Sequence, residues 1–160
     1  HPSNLGKLLL GRTKIFPATA AAVMELLHSI GIPYSGKEVV IVGHSEIVGK
    51  PLALMLADKL ATVTICHIGT TKAGKLAEHV QRADVLIVAV GKPGLIKGEW
   101  IKEKAIVIDV GISKVGEKIV GDVEFDAAAA RASWITPVPG GVGPLTVAML
   151  MRNLVEAAKL

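Results

Sequence analysis

Val39-Val40-Ile41-Val42-Gly43-His44-Ser45-Glu46-Ile47-Val48-Gly49-Lys50-Pro51 is the stretch whose reading decides the fold. A short continuous apolar run, as opposed to an alternating one, marks a strand buried on both faces, as in a parallel sheet. The run ends at Gly43 and turns through His44-Ser45-Glu46 into a helix expected over 47–58. Gly43 allows a tight turn, Ser45 can cap the helix, and Gly49 lets that helix lie close to the strand. A pyrophosphate there would meet N–H groups and the positive end of the helix dipole. The spacing Gly43-x-Ser45-x3-Gly49 departs from the usual G-x-G-x-x-G. Alone, it fits an unliganded strand-to-helix connection equally well.

Upstream, residues 1–17 read as an extended lead-in with turn residues at Pro2, Asn4, Gly6 and Gly11. Pro17 and Thr19 start a helix over 20–30, ended by Gly31 and Pro33, with Val23, Leu26, Leu27 and Ile30 as its apolar stripe. Downstream, strands are expected over 61–66, 85–90, 105–110 and 133–136. Helices are expected over 72–82, 99–104, 126–132 and 144–159, and a small hairpin around Gly116 over 115–120. Strands alternating with helices at this interval predict an α/β fold: a Rossmann-like, doubly wound, mostly parallel sheet with helices on both faces. The final helix is apolar on more than one face through Leu145, Val147, Met149, Leu150, Met151, Leu154 and Val155, and one sheet can cover only one of them.

With 160 residues, 51% of them hydrophobic, the chain can bury one sizeable core, so one domain over 1–160 is expected. Aromatic residues make up only 3% and no basic run appears despite the net charge of +4, which argues against a nucleic-acid partner. The single cysteine, Cys66, excludes an internal disulfide framework and fits a reducing, cytoplasmic setting. The uncharged stretch 132–151 is interrupted by Pro137-Val138-Pro139-Gly140-Gly141-Val142-Gly143-Pro144, which makes it a loop followed by a helix and not a membrane span. The opening His1-Pro2-Ser3-Asn4 reads as the middle of a longer chain.

In such a sheet, ligands bind outside the carboxyl ends of the strands. Those ends carry Gly43-His44-Ser45, Cys66-His67-Ile68-Gly69, Ala89-Val90-Gly91-Lys92, Val110-Gly111-Ile112 and Pro137-Val138-Pro139-Gly140-Gly141. Small residues recurring along one rim suit a dinucleotide lying across it. No acid stands between residues 61 and 71 to bind a ribose 2′-hydroxyl; His44, His67 and Lys72 lie near instead, which favours NADP. His67 is equally well read as a loop residue bonded to its neighbours. Cys66 reads as a buried thiol, Asp109 as a strand-end carboxylate bonded to backbone N–H groups, and Asp122 as a turn cap. The loop Thr136 to Thr146 can put bare backbone against a ring.

These residues resemble the bifunctional methylenetetrahydrofolate dehydrogenase/cyclohydrolases over essentially the whole chain. The resemblance rests on the 43–51 stretch, Ala61-Thr62-Val63-Thr64-Ile65-Cys66-His67, Lys97-Gly98-Glu99-Trp100-Ile101, Val107-Ile108-Asp109-Val110-Gly111-Ile112, Gly121-Asp122-Val123 and the 136–146 loop. It implies NADP contacts from Thr19, Gly43, His44, Ser45, Ile68 and Ile112. It also implies a tetrahydrofolate derivative against Pro139, Gly140, Gly141, Val142 and Gly143, a cis Val138–Pro139 bond, a homodimer joined through the hairpin, and no metal. The family often has Arg at the position of His44 and Ser at that of Ile68, which leaves NAD open beside NADP. Its Cys-Thr-Pro segment is Ala18-Thr19-Ala20 here. The family's N-terminal domain carries the Tyr-x3-Lys motif with the acid/base lysine, and Tyr34-Ser35-Gly36-Lys37 does not match its spacing. No catalytic residue is therefore expected in this chain, and the helices over 20–31 and 144–159 are expected to pack on that N-terminal catalytic domain. The rival expectations are a stand-alone dinucleotide-binding module and another two-domain dehydrogenase, such as a shikimate-dehydrogenase-like enzyme.

Overall fold

The computed structural model describes residues 1–159; the expected domain end at Leu160 lies outside them. In chain order the elements are α1 (Pro2–Leu9), α2 (Ala18–Ser29), β1 (Glu38–Val42), α3 (Gly49–Ala57), β2 (Thr62–Cys66), α4 (Ile68–Lys72), α5 (Leu76–Arg82) and β3 (Val85–Val88). A 3₁₀ turn (Gly98–Trp100) precedes β4 (Ile106–Asp109), the antiparallel hairpin β5 (Ser113–Val115) and β6 (Lys118–Val120), α6 (Phe125–Ala129), β7 (Trp134–Ile135) and α7 (Val142–Ala158). No helix among the described residues is long and apolar enough to cross a membrane.

The main sheet has the order β2-β1-β3-β4-β7, and every neighbouring pair is parallel. Because strand side chains alternate, each Val/Ile run serves two cores. Val39, Ile41, Val85, Ile87, Ile106 and Ile108 pack with Val23 and Leu27 of α2, Leu52 and Leu56 of α3 and Met149 of α7. On the other face Val40, Val42, Leu86, Val88 and Val107 pack with Leu76 and Val80 of α5 and Ala128 of α6. The doubly wound expectation is met. From β1 the chain moves outward to β2, then returns past β1 to β3, so the connections diverge above the β1/β3 pair.

Two local expectations are corrected. The 1–17 lead-in is helical over Pro2–Leu9: His1 Nδ1 accepts the Ser3 N–H, Pro2 sits at the first turn, and Leu8 is buried. Burial of Leu8 outweighs the turn preferences of Asn4 and Gly6. The helix expected over 72–82 begins only at Leu76 as α5; a separate short helix, α4, ends at Lys72, and Gly74, whose φ is +70°, lies in the turn between them. On α2, Val23 and Leu27 of the apolar stripe are fully buried inside this chain, while Leu26 and Ile30 are only partly covered. In α7, by contrast, Val147, Leu150, Met151, Leu154 and Val155 are exposed.

At the opposite end of the sheet, Asp84 closes the entry to β3. Its Oδ2 accepts the Glu38 N–H at 3.0 Å and its Oδ1 accepts from Lys102 Nζ at 2.7 Å. The Lys102 hydrogen bond, with lesser help from the Glu38 N–H, holds its carboxyl below the usual carboxylate range. A lowered folded value means that the contribution is complete above the unfolded value and is lost as pH falls through the folded one. Asp84→Asn is expected to lower stability at neutral pH by about 1 kcal/mol or less. Melting curves taken across the acidic range should show the gap to wild type closing as pH drops below about 4.

Candidate functional site

Two glycines shape the rim at the point of divergence. Gly43 has φ +125°, and a Cβ there would lie 3.0 Å from Ala89 C and overlap its carbonyl oxygen. A Cβ on Gly49 would lie 2.8 Å from Gly43 C and overlap the Gly43 carbonyl oxygen. The turn and the helix that follows it are thus in backbone contact, as the spacing suggested. Ser45 Oγ accepts the Val48 N–H at 3.1 Å, and Ser45 O accepts the Lys50 N–H at 3.0 Å. The serine therefore braces the turn that leads into α3.

Above this turn opens a cleft of about 540 Å³ lined by Gly43, His44, Ser45, His67, Ile68 and Val90, with Lys50 and Lys92 at its wall. The His44 and His67 rings stand 5.4 Å apart. His67 is also bonded to its neighbours: its Nδ1 accepts the Gly69 N–H at 3.1 Å, and its own N–H donates to Thr70 Oγ1 at 3.2 Å. With Nδ1 an acceptor, Nε2 carries the ring proton. Glu46 is the acid of the cleft and pairs with Lys50 at 3.6 Å. Lys72 does not line the cleft; Lys92 is the cation brought in instead.

A second cleft of about 440 Å³ continues along the rim over β4, lined by Thr19, Gly111, Ile112 and the 139–143 loop. The Val138–Pro139 peptide is cis. Of the residues expected to touch cofactor, Gly43, His44, Ser45 and Ile68 gather in the first cleft, whereas Thr19 and Ile112 face the second beside Pro139, Gly140, Gly141, Val142 and Gly143.

Beneath both clefts lies a buried carboxylate pair. Asp109 Oδ1 accepts N–H groups from Gly111 (2.9 Å) and Asp122 (3.1 Å), and its Oδ2 accepts that of Val123 (2.9 Å). The Asp109 N–H donates to Thr136 Oγ1 at 2.8 Å, which ties β4 to the segment that enters the 139–143 loop. Burial pushes the Asp109 carboxyl above its ordinary range, and the nearby Asp122 adds to this, against the lowering effect of the three N–H groups. Cys66 is fully buried, and burial pushes its thiol up, which makes it inert packing. The wall residues Val90 and Lys92 were placed on the rim by their position after a strand, though neither was assigned a contact of its own.

The family described as "Tetrahydrofolate dehydrogenase/cyclohydrolase, NAD(P)-binding domain" matches residues 17–160. The chain is 58% identical over 160 residues to the bifunctional protein FolD of Geotalea uraniireducens, covering 99% of this chain and 56% of that protein. It is 58% identical over 161 residues to bifunctional protein FolD 2 of Geobacter sulfurreducens, covering 100% of this chain and 55% of that protein. The crystal structure of the bifunctional FolD methylenetetrahydrofolate dehydrogenase/cyclohydrolase of Campylobacter jejuni superposes with a TM-score of 0.94 at 47% identity, over 99% of this chain and 56% of that one. The Trypanosoma brucei enzyme, complexed with NADP cofactor and inhibitor, gives 0.89 at 48% identity, over 97% and 55%. The chain thus spans little more than half the length of these relatives.

Proposed function

Because this chain belongs to the tetrahydrofolate dehydrogenase/cyclohydrolase family as its NAD(P)-binding domain, we propose that it is the cofactor-holding half of an enzyme acting on 5,10-methylenetetrahydrofolate. That enzyme oxidises its substrate to 5,10-methenyltetrahydrofolate and hydrolyses the product to 10-formyltetrahydrofolate. The observation that carries this reading is the pair of adjoining clefts at the strand carboxyl ends, one floored by the Gly43/Gly49 crossover and the other closed by the 139–143 loop.

A bound nicotinamide supplies the acceptor for the hydride that leaves the substrate's methylene carbon. The chain's own work is placement, which is worth much of the barrier in such a transfer. Gly43, His44, Ser45 and Ile68 hold the adenosine end in the first cleft. Thr19 and Ile112 receive the nicotinamide end in the second, where Pro139, Gly140, Gly141, Val142 and Gly143 face the folate. The paired imidazoles of His44 and His67 suit a 2′-phosphate and favour NADP over NAD. The acid/base lysine comes from an N-terminal catalytic domain, which also covers the exposed α7 face of Val147, Leu150 and Leu154. Exposed Val115 and Ile119 on the β5–β6 hairpin serve as the contact between copies in a homodimer. The buried, unpaired Cys66 fits a cytoplasmic enzyme.

The 160-residue chain is expected to bind NADPH yet to form no methenyl product, followed by absorbance, from 5,10-methylenetetrahydrofolate with NADP or NAD. Clear turnover by this chain alone would overturn the division of labour.

A further inference from the structure

Asp122 lies between the β5–β6 hairpin and α6 and is fully buried. Its Oδ2 accepts two N–H groups from the turn after β3, those of Val90 (2.8 Å) and Gly91 (2.9 Å). Its own N–H donates to Asp109 at the end of β4, and Asp109 in turn accepts the Gly111 N–H. A Cβ on Gly111 would overlap the Asp122 carboxyl, so the turn after β4 lies directly on that group. Val90 walls the first cleft, and Gly111 and Ile112 wall the second. One side chain therefore sets the spacing between them.

We propose that Asp122 is a positioning residue for the nicotinamide half of the dinucleotide, holding the turns after β3 and β4 at the separation that a ligand crossing both clefts requires. The inference rests on the cofactor reading above. In the strand order β2-β1-β3-β4, the adenosine half would lie over the β1 and β2 ends, beside Ser45 and Ile68, to which Asp122 makes no hydrogen bond among the described residues. The nicotinamide half crosses the β3 and β4 ends, which Asp122 joins. What the two N–H groups need is an acceptor oxygen and not a negative charge. An asparagine carbonyl can take the Oδ2 place. Its amide nitrogen would then take the place of Oδ1, which has no hydrogen-bond partner among the described residues.

The test is a titration of NADPH and of 2′,5′-ADP, which carries the adenosine half alone, into wild type, Asp122→Asn and Asp122→Ala. In Asp122→Ala the Kd for NADPH should rise at least about tenfold while that for 2′,5′-ADP stays within about threefold; Asp122→Asn should hold both within about threefold. Equal weakening of the two ligands, or undiminished NADPH binding by Asp122→Ala, would overturn the proposal. A wild type that binds neither ligand would overturn the cofactor reading itself, and this inference with it. Should Asp122→Ala fail to fold, hydrogen exchange in ligand-free wild type decides. Val90 and Gly91 amides exchanging as slowly as that of Ile87 support a preformed wall, and rapid exchange at both refutes it.

Discussion

Replacing Gly49 with alanine is expected to abolish the nucleotide cleft and to lower the melting temperature by roughly 6–12 °C, the equivalent of about 3 kcal/mol in a domain of this size. The new Cβ would meet backbone and not the yielding end of a side chain: Gly43 C at 2.8 Å, His44 Cα at 3.1 Å and, closer still, the Gly43 carbonyl oxygen. Gly43 has no room to withdraw. Its N–H donates to Cys66 O at 2.9 Å on one side, and Ala89 presses on it from the other. The strain must therefore be met by moving α3 off the sheet, which displaces Ser45 and opens the turn. Gly6→Ala is the matched control, since a Cβ there meets nothing within 4 Å and it sits inside a helix; stability should hold or rise by about 0.5–1 kcal/mol. Thermal melts and NADPH titration of both variants check this. A Gly49→Ala protein that melts and binds like wild type would show that the crossover is not as tightly closed as described.

Removing the Asp109 carboxylate should have the next largest effect. Asp109→Ala leaves three buried N–H groups, those of Gly111, Asp122 and Val123, with no acceptor. At about 1 kcal/mol or more each, the loss is at least about 3 kcal/mol. Loosening both rim turns should weaken NADPH binding as well. The pH dependence has a definite sign. Burial raises the folded value of this carboxyl, so between the unfolded and folded values the native state holds more protons than the unfolded chain. Stability from this group therefore falls as pH rises through that window, and the penalty is complete above it. Asp109→Asn, which cannot titrate there, should be less stable than wild type by a margin that narrows from acid toward neutral pH. Chemical denaturation at a series of pH values measures that margin, and a margin that widens would reverse the assignment.

Much of the architecture was legible because it depends on near neighbours. A run such as Val85-Leu86-Ile87-Val88 has no polar face and must be covered on both sides, which makes it an interior parallel strand wherever it occurs. Gly43 and Gly49 were readable for a similar reason, since a missing Cβ six residues after a turn glycine is a statement about local clearance. The carboxyl-end rim followed from topology and the 136–146 loop from its own prolines and glycines, whereas the folate side of 139–143 and the contact from Thr19 came from likeness to a family. Asp109 was read as a backbone-bonded carboxylate, and its three N–H partners bear this out.

Other features belong to the tertiary structure alone. The helix at Pro2–Leu9 exists because Leu8 finds a buried site, something its own turn-prone residues do not announce. The stripe on α2 reads as one continuous face, but in the fold Val23 and Leu27 are buried with α3, α7 and the sheet while Leu26 and Ile30 are only partly covered. Asp122 read as a turn cap; in the fold it reaches back 31 and 32 residues to Gly91 and Val90 and spans two clefts. A sequence determines by itself what each segment must do with its own polar and apolar groups, because those demands are set within a few bonds. Which distant groups answer them is decided only when the sheet brings the strand ends together, since hydrogen bonds and close packing act over a few ångströms of space and are indifferent to distance along the chain.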